Sequence, residues 1–308
     1  MNFKERIAEI LGIKGSNDVW KTHPKIYKRQ GIIKPEVVES TPIVFRQDKY
    51  IIVFQRRKSQ ARGESVAVLS FEDGSTIQNF RWRFGLGCAL VEHKTIHVFG
   101  SSEWDRTNHI EKARLVYDSD NESFTLQDSL PIWHASSDQS IYNSSVCTHP
   151  GGYVLAYEVR EPSTVNFSVR FLKSKDLIKW ETIGSIFHPD IYAACPTIRY
   201  HEGWFYILYL RHEFVHKRRM GYVMSIARTQ DFVNFHDFLG NGKYNRFTQV
   251  LSPFGSDIEG INNSDVDLVE HNGITYFIYA DGDQKTWANL RIAVYLGKLS
   301  EFFAEYWP

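Results

Sequence analysis

Residues 262–284 read NNSDVDLVEHNGITYFIYADGDQ: two short apolar-rich runs joined by His-Asn-Gly, with a pair of acids at each outer end. Asn-Gly between alternating runs is a strong hairpin signal, and the alternation lays DVDLVE back to back with ITYFIYA. Such a hairpin brings Asp265, Asp267, Asp281 and Asp283 to one open end. Four like charges in one place call for cationic partners or a chemical task.

The same order of strand, turn, aromatic or β-branched strand, loop and third strand recurs along the chain. It appears as ESTPIVFRQDKYIIVFQ (39–55), GCALVEHKTIHVFG (87–100), NSSVCTHPGGYVLAYE (143–158), CPTIRYHEGWFYILYLRHE (195–213) and SDVDLVEHNGITYFIYAD (264–281). Third strands follow in SVAVLSFEDG (65–74), KARLVYDSD (112–120), FSVRFLKSKD (167–176), GYVMSIARTQD (221–231) and NLRIAVYLGKL (289–299). Steps of about 45 to 70 residues fit propeller blades with unequal loops, whereas helix-period segments are almost absent between them. The expected architecture is therefore all-β, a single five-bladed β-propeller over residues 1–308, with residues 1–34 forming a short helix and a lead-in that lies outside or completes the ring. A β-sandwich with irregular hairpins is the alternative.

Composition limits the function. With 308 residues, 43% hydrophobic and 15% aromatic, the chain can bury a large core. Its 36 basic residues balance 36 acidic ones, so no overall field favours nucleic acid or an anionic membrane. MNFKERIAEILGIKG at the start reads as an amphipathic helix and lacks the apolar core of a secretory signal. No run approaches the ~18 apolar residues of a membrane span. Cys88, Cys147 and Cys195 are odd in number, sit in strand-like contexts and form no CxxC pair, so three reduced thiols in a cytoplasmic protein are expected.

After the third strand, SKDLIKW (174–180) and TQDFVNF (229–235) repeat one signature. Its Asp can cap a tight turn while the aromatic ring closes the outer strand onto its sheet. Ser-x-Asp-Leu-x-x-Trp after a third strand, within five such repeats, resembles the five-bladed propeller glycoside hydrolases: the arabinanases and xylosidases of family 43, neoagarobiose hydrolases, levansucrases and invertases. The resemblance runs from about Glu36 to the C-terminus. It implies sugar hydrolysis by carboxylates in a central funnel, with inversion at the anomeric carbon, and leaves the substrate open because one fold hosts several activities. Two family positions do not carry over. Where those enzymes open the first innermost strand with Asp-Pro, this chain has Thr41-Pro42, with Glu39 nearby; where they place an acidic Glu two residues before a Pro, it has Ala194 before Cys195 and Pro196. A C-terminal sandwich like that of the invertases is not expected.

Topology locates the site independently. In an antiparallel blade the start of strand one, the end of strand two and the start of strand three lie on one face, around the axis. Acids at those points include Glu39, Glu103, Asp105, Glu158, Glu213, Asp265, Asp267, Asp281 and Asp283. Asp265 is assigned as base or charge-positioning carboxylate, with Asn263 and Ser264 beside it as hydrogen-bond donors. Glu158, at the end of the apolar strand YVLAYE, is assigned as the acid unless it pairs with Arg160 or Arg56, and Glu39 is the third catalytic candidate. Glu213, Asp267, Asn143, Arg211, His212, Trp104, Asp283, Gln284 and Arg56 are the substrate-binding candidates, since rings stack on sugar C–H faces and polar groups hold hydroxyls. Trp104, Tyr142 and Tyr192 supply aromatic rings at the same level. Any one strand-end acid is more often a turn cap or a solvated charge, and Asp267 has the parity to hold a backbone amide or an Arg. The scattered histidines lack metal-ligand spacing, so neither metal nor other cofactor is expected. The sequence thus reads as a hydrolase of a small oligosaccharide, with a carbohydrate as its partner and neither nucleic acid nor membrane. Two alternatives stand beside it: a glycoside phosphorylase using Arg56, Arg57, Arg211, His212, Arg218 and Arg219 for phosphate, and a non-catalytic sugar-binding propeller.

Overall fold

The structure is a computed structural model that describes residues 23, 25–55, 65–101, 108–165, 167–214, 220–238, 249–251, 253, 259–283 and 286–308. The expected N-terminal helix lies outside them. Two short strands, β1 (Ile26–Lys28) and β2 (Lys34–Pro35), precede a first meander of β3 (Glu39–Phe45), β4 (Asp48–Gln55), β5 (Ser65–Ser70) and β6 (Thr76–Arg81). A second follows in β7 (Gly85–Glu92), β8 (Thr95–Ser101), β9 (His109–Asp118) and β10 (Ser123–His134), and a third in β11 (Ser140–His149), β12 (Gly152–Arg160), β13 (Ser168–Ser174) and β14 (Trp180–Phe187). A fourth comprises β15 (Ala194–His201), β16 (Trp204–Phe214) and β17 (Met220–Thr229), edged by the short β18 (His236–Asp237) and β19 (Gln249–Leu251). The fifth has β20 (Asn262–His271), β21 (Ile274–Gly282) and β22 (Ala288–Tyr295), and a helix, α1 (Leu299–Ala304), comes after it.

The opening hairpin forms as read. Asn272 and Gly273 both take positive φ between β20 and β21, the geometry a two-residue turn needs to follow strand twist. Residues from near the start of the chain complete the fifth meander: β1 pairs antiparallel with β22, Ile26 opposite Tyr295, and β2 pairs with its other end. The fourth and fifth meanders meet through one parallel pair, Tyr222 with Asn262.

Burial explains the strand compositions. Second strands are covered on both faces, so Ile51 to Phe54 on β4 and Phe277 to Ala280 on β21 read as continuous apolar runs. Outer strands such as β6 and β14 alternate or turn polar because one face meets water. Five apolar cores result, each shared by consecutive meanders, and the last joins Ile51, Val53 and Leu69 of the first to Ile278, Leu290 and Ile292 of the fifth. The first strands touch in the cyclic order β3, β7, β11, β15, β20 and back to β3. Gly87 on β7 packs closely against second strands, since a Cβ there would fall 2.2 Å from the Phe99 carbonyl oxygen of β8 and 2.5 Å from the Phe54 ring of β4.

The repeated Ser/Thr-x-Asp turns have matching geometry. Asp176 Oδ1 accepts from the N–H groups of Ile178 and Lys179 at 2.9 and 2.8 Å, and Asp231 Oδ1 accepts from Val233 and Asn234 at the same distances. These bonds hold both carboxyls below their usual range. At the strand ends remote from the first-strand mouths, α1 buries Phe302 and Phe303, the latter stacked on Tyr206 at 3.8 Å. No helix among the described residues is long and apolar enough to cross a membrane.

Candidate active site

Four of the five first strands break register near their mouths: β7 between Gly85 and Cys88, β11 between Ile141 and Ser144, β15 between Ala194 and Thr197, and β20 between Ser264 and Asp267. Such bulges add one residue and re-aim its side chain. Leu86, Cys195 and Asp265 occupy them at φ 52, 47 and 51. Non-glycine residues rarely sit there, and three at equivalent points mark a shared device.

The bulges open a cavity lined by all five first strands, through Glu39 to Thr41, Gly87 and Cys88, Asn143 to Ser145, Cys195 to Thr197 and Asp265 to Asp267. Its floor is a circle of side-chain hydrogen bonds. Thr41 Oγ1 accepts from the Ala89 N–H at 3.1 Å, Cys88 Sγ meets Ser144 Oγ at 3.7 Å, and Ser145 Oγ accepts from the Ile198 N–H at 3.1 Å. The Thr197 hydroxyl donates to the Val266 carbonyl, and Asp267 accepts from the Thr41 hydroxyl, returning to the first strand.

Above this floor stand three carboxylates. Glu158 leaves the end of β12, buried at 4% exposure, and its Oε2 accepts from the Cys195 N–H at 2.7 Å and from Asn143 Nδ2 at 3.1 Å. Asp265 sits on the β20 bulge beside the Cys195 thiol, while Glu39 comes from the mouth of β3. Burial, then the charges of Asp265, Glu158 and Glu39, push the Cys195 thiol well above its ordinary range. The assigned Asp265 and Glu39 line the cavity, and the assigned Glu158 is bonded to two of its lining residues, Cys195 and Asn143, although the three acids come from three meanders. Asn143, another sequence candidate, is hydrogen-bonded within the same group.

An aromatic wall rises beside them on the third and fourth meanders. Tyr192 stacks on His212 at 4.4 Å and 11°, Tyr222 meets the His212 ring edge-on at 4.6 Å, and Phe167 bridges Tyr192 to Tyr142. Burial, the Cys195 thiol and the Glu158 carboxylate push the Tyr192 hydroxyl above its usual range, and burial lowers the His212 imidazole. Phe167 and Tyr222 were missed in the sequence, although both stand at the start of a third strand, one of the three points that topology places at the mouth.

Other candidates go elsewhere. Asp267 pairs with Arg199 and accepts from its neighbour's Leu268 N–H at 2.7 Å, and burial still raises its carboxyl against those partners. Arg211 faces the opposite side of β16 from His212, where it interacts with Tyr209, whose hydroxyl donates to Asp237 at 2.8 Å. Asp283 closes its own loop, accepting from the Thr286 and Trp287 N–H groups at 2.7 and 3.1 Å. Its partner in sequence, Asp281, pairs with Arg291 at 2.6 Å and accepts from the Gly260 N–H. Asn263 and Ser264 do not hold Asp265 as expected: Asn263 accepts from Lys28 Nζ at 2.5 Å beside the buried Lys28–Glu259 pair, and Ser264 accepts from Asn262 Nδ2. The reason is the bulge, which separates Asp265 from the residues before it. Trp104, Arg56, Gln284, Glu103, Asp105, Arg57, Arg218 and Arg219 lie outside the described residues, as does the side chain of Glu213.

The fold is similar to solved glycoside hydrolases of propeller type. A structure described as a glycoside hydrolase matches with TM-score 0.60 and 15% identity over 97% of each chain. A thermostable family-43 glycoside hydrolase matches with TM-score 0.61 and 12% identity over 85% of this chain and 90% of that one. An α-L-arabinanase of Cellvibrio cellulosa, complexed with arabinohexaose, gives 0.56 and 10% over 84% and 91%. No family model and no curated protein matches the chain. At these identities the likeness is one of fold.

Proposed function

We propose that the protein is a glycoside hydrolase that cleaves a small oligosaccharide by carboxylate acid/base catalysis, on a single five-bladed propeller domain. One observation carries the reading: Glu39, Glu158 and Asp265 converge beside an aromatic wall at the mouth of a ring of strands. The five cyclic cores and first-strand contacts support five blades, with β1 completing the fifth.

Glu158 is the proton donor. Its Oε2 already accepts from two N–H groups, so the proton it delivers sits on Oε1. Protonation of the glycosidic oxygen lets the C–O bond break towards an oxocarbenium-like transition state, while the sugar ring lies against Tyr192 and His212. Asp265 takes a proton from the water that attacks the opposite face, and Glu39 holds a hydroxyl. Inversion requires ~6.5–9.5 Å between the reacting carboxyls to seat that water. Arabinanases among the neighbours make arabinose-containing oligosaccharides the first compounds to assay. The small size expected of the substrate goes with the cytoplasmic location that the sequence suggests.

A panel of oligosaccharides and aryl glycosides, with NMR of the first-formed anomer, tests the reading. Release of reducing sugar with inverted configuration is expected. Binding without cleavage across the panel would favour the silent propeller, and turnover that requires inorganic phosphate would favour the phosphorylase.

A further inference from the structure

Glu158 and Asp265 stand on the third and fifth meanders, and the residue between them belongs to the fourth. Cys195 donates its main-chain N–H to Glu158 Oε2 at 2.7 Å, and its thiol lies beside the Asp265 carboxylate in the lining of the same cavity. Asn143 Nδ2 completes the group, 3.1 Å from the same Glu158 oxygen and 3.2 Å from Cys195 Sγ. The contact to Glu158 depends on the β15 bulge: Ala194 pairs with Leu210 and Thr197 with Leu208, so Cys195 has no place in the ladder, and its N–H turns towards the cavity at φ 47.

Resting on the hydrolase reading above, we infer that Cys195 is a positioning residue that ties the acid Glu158 to the base Asp265, its amide holding one and its thiol the other. A small side chain merely filling space would not need its amide on one carboxylate and its thiol beside another. A nucleophilic thiol is also a poor fit, because burial and the charges of Asp265, Glu158 and Glu39 favour the protonated sulfur over the thiolate. Those anions keep the hydrogen on sulfur, and only the protonated thiol can donate to Asp265.

The coupling can be read without any substrate. Iodoacetamide alkylation of Cys195 in the full chain, resolved by peptide mass spectrometry, gives the midpoint of its pH–rate curve. Cys88 and Cys147 report on any general loosening, since both are buried and burial pushes each up to about 12. Asp265→Asn is expected to lower the Cys195 midpoint, speeding reaction at neutral pH about tenfold for each unit of displacement. Glu158→Gln should lower it too. An unchanged midpoint, or a thiol as inert in Asp265→Asn as in the parent, overturns the inference. With a hydrolysed substrate in hand, Cys195→Ala should lower kcat, up to roughly 10²-fold, with little change in KM. Cys195→Ser keeps a donor and should recover most of that loss; equal turnover in the two variants also overturns the inference. If the parent cleaves no glycoside, the hydrolase reading fails, while the alkylation midpoints still decide whether Cys195 is coupled to the two carboxylates.

Discussion

Asp265 and Asp267 stand two residues apart on one strand, carry the same charge and have different surroundings. Asp265 occupies the bulge, at φ 51, among Cys195, Glu158 and Glu39. Asp267 lies past the bulge, back in register opposite Ile278, where Arg199 and Thr41 hold it in the circle of bonds that closes the floor. A regular strand would send both to one face at one depth. One inserted residue separates them into a carboxylate beside other anions and a carboxylate matched by a cation. The first is the carboxylate proposed above for the chemistry, and the second, paired with Arg199, belongs to the frame.

The largest test of that contrast is turnover. Asp265→Asn and Glu158→Gln should each lose roughly 10²–10⁴-fold in kcat while keeping the parent's circular dichroism and denaturation midpoint. Parent-like turnover in both would remove these two carboxylates from the reaction. Asp267→Ala should show the opposite signature, a destabilisation of about 3 kcal/mol in urea denaturation, because Arg199 would keep a largely buried charge with only the Ile198 and Leu268 carbonyls as partners. A midpoint within error of the parent would mean that the floor does not depend on this pair.

The smallest effect comes from an acid three residues past Glu158. Glu161 accepts two bonds from Arg170, at 2.9 and 2.7 Å, and these with Ser163 and Gln139 bring its carboxyl down to about 2. A depressed folded value means that the stabilisation is present above the ordinary value of 4.5 and is lost as pH falls towards 2. Glu161→Gln should therefore be less stable than the parent near neutrality, and the difference should shrink on acidification through that window. A difference independent of pH would show that the Arg170 pair contributes by packing alone.

Much of this contrast was legible in advance, and the reason is local. Asn272-Gly273 specifies its turn through backbone conformations that few other pairs adopt. Ser/Thr-x-Asp specifies another through side-chain acceptors within three residues. The repeats, the apolar second strands and the rule about strand mouths brought Glu39, Glu158, Asn143, His212 and Asp265 to one end of the fold. Arg211 followed the same rule and still faced away, because neighbours on a strand alternate and His212 took the cavity side.

By itself, then, the sequence determined the strands, the turns between them and the end of each strand at which polar chemistry would collect, since all of these follow from period-two alternation and short-range hydrogen bonding. Only the tertiary structure decided which acids meet. Bulges depend on how neighbouring first strands crowd at the axis, and they set Cys195 between Glu158 and Asp265 while handing Asp267 to Arg199, a residue nearly seventy positions away in the chain. No local pattern encodes a partner at that separation; packing around the ring selects it.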